Sequence, residues 1–154
     1  MATSFGVGYA PIAPGTLGSI VGVGLFWWSG PSFIGGLVVA GVVIVIGVWS
    51  ASRMERIFGE HDPSRVVIDE VAGQFVTLWL AWSLGMTLES RSLTAGLSFW
   101  LVGFALFRVF DIIKPAPIRR LERMKGGVGI VADDVMAGIY AGLTLHLVHR
   151  CGIL

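Results

Sequence analysis

The sequence predicts an all-α, polytopic membrane protein: four to five transmembrane or membrane-embedded helices in one bundle, with residues 1–154 forming a single domain. Three observations carry this expectation. Hydrophobic residues make up 55% of the chain and charged residues only 14%, where an ordinary soluble domain has about a quarter charged. The apolar residues gather in runs of helical-span length, separated by Gly, Pro and charge. No Asp, Glu, Lys, Arg or His occurs before Arg53, so the first third of the chain is suited to lipid. A net charge of +1 points away from nucleic acid or an acidic partner and leaves the bilayer as the expected surroundings. Cys151 is the sole cysteine, which excludes an intrachain disulfide and a Cys-based metal site.

Residues 1–16 are rich in Gly and Pro and end in Ala13-Pro14-Gly15-Thr16, a loop leading into a helix. The run Leu17–Trp28 is short for a full crossing. Gly30-Pro31-Ser32 separates it from Phe33–Ala51, which is long enough to span alone, and the two form a helical hairpin. Ser52–Ile68 is the first charged segment. Val71–Leu88 and Leu93–Phe107 are the third and fourth spans, joined by a turn at Glu89-Ser90-Arg91. The second charged segment, Arg108–Lys125, holds six of the eleven basic residues, and a fifth helix is expected from about Asp133 to His149 behind a pliant glycine loop. The pairs Gly18/Gly22 and Gly138/Gly142 have the spacing that lets helices approach closely. The N-terminus shows no positive n-region or cleavage site, so the apolar segments are expected to persist in the mature protein.

Topology follows from the basic residues. The two charged segments are separated by two crossings and together hold nine of the eleven Lys and Arg. By the positive-inside rule they are cytoplasmic. If the first hairpin crosses twice, the Pro-Gly-Thr loop shares that face.

The acids are the unusual feature. A carboxylate within hydrocarbon costs about 3 kcal/mol even on lenient insertion scales, yet Asp69-Glu70, Asp111 and Asp133-Asp134 all border apolar runs. Capping alone accounts for one acidic pair at a helix start. Two such pairs on one membrane face point further, because four carboxylates repel unless a cation lies among them. Mg²⁺ suits them: it favours carboxylates, keeps waters and bridges to phosphate oxygens. Arg108, Asp111 and Lys114 recur every three residues before Pro115 ends the helix. That face is either an intrahelical ion network or a phosphate clamp, with Lys114 as point charge and Arg108 as planar fork. Gly127–Ala132 fits a dinucleotide fingerprint on paper but lacks the strand-turn-helix context.

Four ordered stretches then show a family likeness: Pro11–Ser19, Val67–Gly73, Phe107–Ile118 and Gly126–Gly138. Through them the chain resembles the phosphatidylglycerophosphatase A family over nearly its whole length, departing in a very short N-terminus ahead of the Pro-Gly-Thr loop. The resemblance implies a Mg²⁺-dependent helical phosphatase of the bacterial inner membrane. Its substrate is phosphatidylglycerophosphate, and its products are phosphatidylglycerol and phosphate. Carried over by motif, the site residues are Thr16, Asp69, Glu70, Arg108, Asp111, Lys114, Asp133 and Asp134. In the roles expected here, Asp69, Glu70, Asp133 and Asp134 are metal ligands, and Lys114, Arg108 and Thr16 contact the phosphate. Asp111, with Asp69 and Asp134, carries the catalysis, on the cytoplasmic side. Two rivals stand beside this reading. A small cation or proton transporter would use the same acids as a relay, although transport sites lie near the midplane and these acids lie at span ends. A phosphatidyl transferase would carry a longer Asp-Gly…Ala-Arg…Gly…Asp…Asp pattern, which is absent.

Overall fold

The computed structural model describes residues 14–29, 32–58, 66–85 and 93–154, and within them the chain is helical throughout its regular structure. The helices are α1 (Pro14–Ser29), α2 (Phe33–Phe58), α3 (Ile68–Ser83), α4 (Leu93–Ile113), the single turn α5 (Ile118–Leu121) and α6 (Gly127–Arg150). The all-α bundle expected from the sequence is therefore what forms. The first residues of the Gly/Pro loop, the Gly30-Pro31 turn, the charged residues between Glu60 and Arg65, and the Glu89-Ser90-Arg91 turn lie outside the described residues.

Among the described residues three helices are long and apolar enough to cross a membrane: Phe33–Ile57, Gly96–Ile113 and Gly127–Arg150. Their outward faces carry Ile34, Val38, Val45, Leu101 and Leu147, all well exposed, as a lipid-facing surface should be. The helices α1 and α3 have 16 residues each, about 24 Å of rise against a hydrocarbon core of about 30 Å. Rather than facing lipid, α3 is the centre of the bundle. An unbroken run from Val71 to Leu78 is buried, which requires neighbours on every side of the helix, and α1, α2, α4 and α6 supply them.

Lipid tails are as apolar as leucine, so helix association here depends on close packing and interhelical hydrogen bonds rather than on expulsion of water. The sequence provides for both. At the α3–α6 crossing, Gly73 and Gly138 lie backbone to backbone, leaving no room for a Cβ on either. Thr77 Oγ1 seals the contact by donating to Gly73 O at 3.0 Å and to Gly138 O at 3.3 Å. On the other side of α3, Gly18 and Gly22 of α1 sit against the carbonyls of Val67 and Val71. Phe26 of α1, Phe75 of α3 and Phe99 of α4 fill the middle, Phe26 and Phe75 meeting edge to face with centroids 6.1 Å apart.

One element departs from expectation. The helix expected from Asp133 begins at Gly127, so the glycine stretch is helical rather than a pliant loop. Close packing explains its composition. A Cβ on Gly127 would strike the backbone of α2 at Val48 and Ser52, and one on Gly129 would strike Met124 O. The new helix start is capped from another helix: Gly127 N donates to Ser52 Oγ at 2.9 Å. Asp133 and Asp134 consequently lie two turns inside α6 and cannot be its caps. At the end of α4, Lys114 takes a left-handed conformation with φ 45° while its N–H still donates to Phe110 O, and Pro115 prevents further helix.

Candidate active site

Three helix ends and the flank of α6 meet around a cavity of about 260 Å³. From the start of α1 come Pro14, Gly15 and Thr16; from the first turn of α3, Asp69 and Glu70. The last turn of α4 gives Arg108 and Asp111, with Lys114 just beyond it, and α6 adds Asp133 and Asp134. All eight site residues expected from the sequence line this one cavity. Five carboxylates against two cations leave its wall with a formal charge of −3.

Within the wall the charges sort into two groups. Asp69, Glu70 and Asp134 each offer a carboxylate oxygen within 4.8 Å of the other two. Asp69 and Asp134 are buried and Glu70 is half-buried. Glu70 Oε2 and Asp134 Oδ2 are shielded from solvent, with no hydrogen-bond partner among the described residues. Buried oxygens in that position are costly unless a cation completes them. The donor set is all oxygen and anionic, so it fits a hard divalent ion such as Mg²⁺. Capping is present as well: Asp69 Oδ1 accepts from Glu70 N at 3.1 Å within the first turn, while the N-cap residue Val67 makes no side-chain bond.

The second group pairs cations with acids. Arg108 Nη1 meets Asp111 Oδ2 at 2.8 Å. Lys114 Nζ donates to Asp133 Oδ2 at 2.6 Å and to Glu122 Oε1 at 2.8 Å. Asp133, expected among the metal ligands, is thus placed on the lysine side of the cavity, apart from the cluster of three. Burial works against the Lys114 ammonium, but its bonds to Asp133 and Glu122 outweigh this and hold its pKa above the ordinary lysine value. Of the intrahelical ion network expected on this face only the Arg108–Asp111 pair forms among the described residues, Lys114 turning to Asp133 and Glu122, and all three residues border the cavity.

Glycine brings α1 into the site. A Cβ on Gly15 would collide with Glu70 Oε1 and stand 3.2 Å from Arg108 Nη1, so glycine lets the start of α1 pass over these side chains without displacing the Glu70 carboxylate. The Pro14-Gly15-Thr16 turn therefore presents the N-terminus of α1 to the cavity, where backbone N–H groups and the helix dipole favour an anion. The model of the family described as phosphatidylglycerophosphatase A matches residues 1–149. The chain belongs to that family.

Curated relatives agree. Phosphatidylglycerophosphatase A of Escherichia coli K12 is 34% identical over 153 residues, covering 96% of this chain and 81% of the relative. That of Haemophilus influenzae is 35% identical, covering 96% and 86%. A Bacteroides thetaiotaomicron protein provisionally named a phosphatidylinositol-3-phosphatase is 40% identical over 149 residues, covering 90% and 85%. No solved structure matches. Family membership makes the chain a membrane phosphatase acting on a lipid phosphomonoester, and the enzyme reading prevails over the transporter and transferase readings.

Two participants escaped the sequence reading. Glu122 was an undistinguished acid in a basic stretch, and only the fold brings it to Lys114. Gly15 was part of a loop motif whose steric reason lies on α3 and α4.

Proposed function

We propose that the protein removes the terminal phosphate of phosphatidylglycerophosphate in a Mg²⁺-dependent reaction at the cytoplasmic face of the bacterial inner membrane. The observation that carries the metal requirement is the charge of the cavity wall. Both cations already face carboxylates, and a surplus of three negative charges would repel a phosphate dianion. Asp69, Glu70 and Asp134 would hold the Mg²⁺, which when bound offsets the phosphate charge and acidifies an adjacent water.

The chain's own groups do the rest. Lys114 has three N–H donors, two of them engaged by Asp133 and Glu122, and its third is available to a non-bridging phosphate oxygen. Arg108, fixed by Asp111, offers its remaining guanidinium donors to a second oxygen. Thr16 and the first amides of α1 close the phosphate from the other side. Asp111, at the cavity wall, orients the attacking water and accepts its proton as the water oxygen bonds to phosphorus, then passes that proton to the glycerol oxygen, which leaves as a hydroxyl when its bond to phosphorus breaks. Asp133 keeps Lys114 in place and charged. The nine basic residues of the two charged segments support the cytoplasmic placement.

The test is inorganic phosphate release in detergent micelles from phosphatidylglycerophosphate, with phosphatidylinositol 3-phosphate in parallel, each with Mg²⁺ and with excess chelator. Release from the first substrate that needs Mg²⁺ and is lost in Asp134→Asn supports the reading. Release from the inositol lipid alone transfers the site to that substrate. Absence of release from folded, Mg²⁺-supplied protein overturns the proposal.

A further inference from the structure

One buried polar group has no task in this scheme. Gln74 lies on α3 one turn beyond Glu70, its side chain is fully buried, and neither Oε1 nor Nε2 has a hydrogen-bond partner among the described residues. An amide carries two donors and two acceptor lone pairs, and burying them unmet in an apolar interior is among the costlier things a helix can do. Packing alone would be served by leucine or methionine without that cost. Thr77, three residues further along the same helix, shows the contrast, since its hydroxyl reaches two carbonyls.

The position of Gln74 indicates what would complete it. Glu70 and Gln74 are four residues apart, so they lie on the same face of α3 with about 6 Å of rise between them. The face is covered by the glycine edge of α1: Gly15 over Glu70, Gly18 over Val67 and Glu70, and Gly22 against the Cβ and Cγ of Gln74. A lipid whose terminal phosphate sits at the level of Glu70 has its acyl chains below, toward the bilayer centre. The next polar group on the way down is the hydroxyl of the glycerol that carries the phosphate. It lies four bonds from the terminal phosphorus, a span of about 5 Å at roughly 1.5 Å per bond. That matches the step from Glu70 to Gln74.

We infer that Gln74 reads the head group, its side-chain amide hydrogen-bonding the free hydroxyl of the glycerol that bears the terminal phosphate; this rests on the phosphatase reading above. Gln74 does not line the cavity, and the glycine edge of α1 packs on α3 too closely there for even a Cβ, so the head group meets the amide only when α1 moves off this edge. Gln74 is therefore a specificity residue, distinguishing a glycerol head group from a phosphate borne on a plain alkyl chain.

Four kcat/KM values test this: wild type and Gln74→Leu, each on phosphatidylglycerophosphate and on an analogue whose head group is 1,3-propanediol and lacks the hydroxyl. Wild type should favour the natural head group by about 10- to 100-fold. Gln74→Leu should lose about that factor on the natural substrate and change by less than about threefold on the analogue, so that discrimination disappears. Equal losses on both substrates would make Gln74 a packing residue and overturn the inference. Unchanged kinetics in the variant would mean that the amide is met by water, and would overturn it too. Should Gln74→Leu not fold, Gln74→Met takes its place, and the wild-type comparison stands on its own, since a wild type that does not discriminate refutes head-group reading without any variant. Failure of wild type to release phosphate from either lipid would instead refute the phosphatase reading.

Discussion

Replacing Lys114 with methionine should separate the structural work of the Lys114–Asp133 pair from its chemical work. The side chain of Asp133 is 5% exposed and that of Lys114 19% exposed, with Nζ and Oδ2 2.6 Å apart. Removing one partner of a buried pair leaves the other charge in low dielectric, which costs about 3–5 kcal/mol. The lower figure applies here, because part of Lys114 already reaches solvent. For a chain of this length about 3 kcal/mol corresponds to roughly 6–12 °C in Tm. Glu122, 43% exposed, can turn to water and should add little. The double variant K114M/D133N removes both charges, keeps the shapes, and should recover most of the lost Tm. Its phosphatase activity should stay low, because a phosphate oxygen still lacks its ammonium. Thermal unfolding in detergent micelles and phosphate release, measured on the same preparations, give both readouts. A K114M Tm within about 2 °C of wild type would refute the claim that the pair holds the site together. A double variant with restored activity would refute Lys114 as a phosphate ligand.

Other outcomes follow from the same geometry. Gly138→Ala should lower stability by about 1–3 kcal/mol, because the Cβ would meet the Gly73 backbone and backbone cannot yield; thermal unfolding checks it. Gly15→Ala should instead displace Glu70 and lower activity at least tenfold with little change in Tm, whereas Gly24→Ala, with open space around it, should be silent in both assays. The raised pKa of Lys114 keeps it protonated beyond the ordinary 10.5. Its contribution to stability is therefore fully present below that value and is lost only as pH rises through the higher folded one. The activity ratio of wild type to K114M should accordingly be constant between about pH 6 and pH 9; a ratio that varies would show Lys114 titrating in that range. Ser52→Ala should cost about 1 kcal/mol by uncapping α6 at Gly127, and thermal unfolding detects that too.

Much of this protein is legible in its sequence because the bilayer restricts the choices. Apolar runs of sufficient length are helices, and the acids at their ends stand out against them, so Asp69, Glu70, Asp111 and Asp134 were found before the fold placed them on one wall. What the sequence could not show is partnership across helices. Asp133 and Asp134 are neighbours in the chain, yet successive residues of α6 point about 100° apart, sending one to Lys114 and the other to the three-carboxylate cluster. The glycines ahead of them misled for the same reason. Gly127 and Gly129 look like a flexible hinge until α2 and Met124 are seen pressing against them.

The central position of α3 also bears on how the molecule is assembled. Synthesis and insertion proceed from the N-terminus, so α3 reaches the membrane before α4 and α6 exist. Until then Gly73, Gln74 and Thr77 face lipid or whatever α1 and α2 can cover, and Thr77 lacks the Gly138 carbonyl that it later shares. Loss of the C-terminal helix would therefore remove more than one wall of the bundle. It would leave the innermost helix as a lipid-exposed segment with polar groups in hydrocarbon, the kind of nascent membrane protein that quality control recognises and degrades.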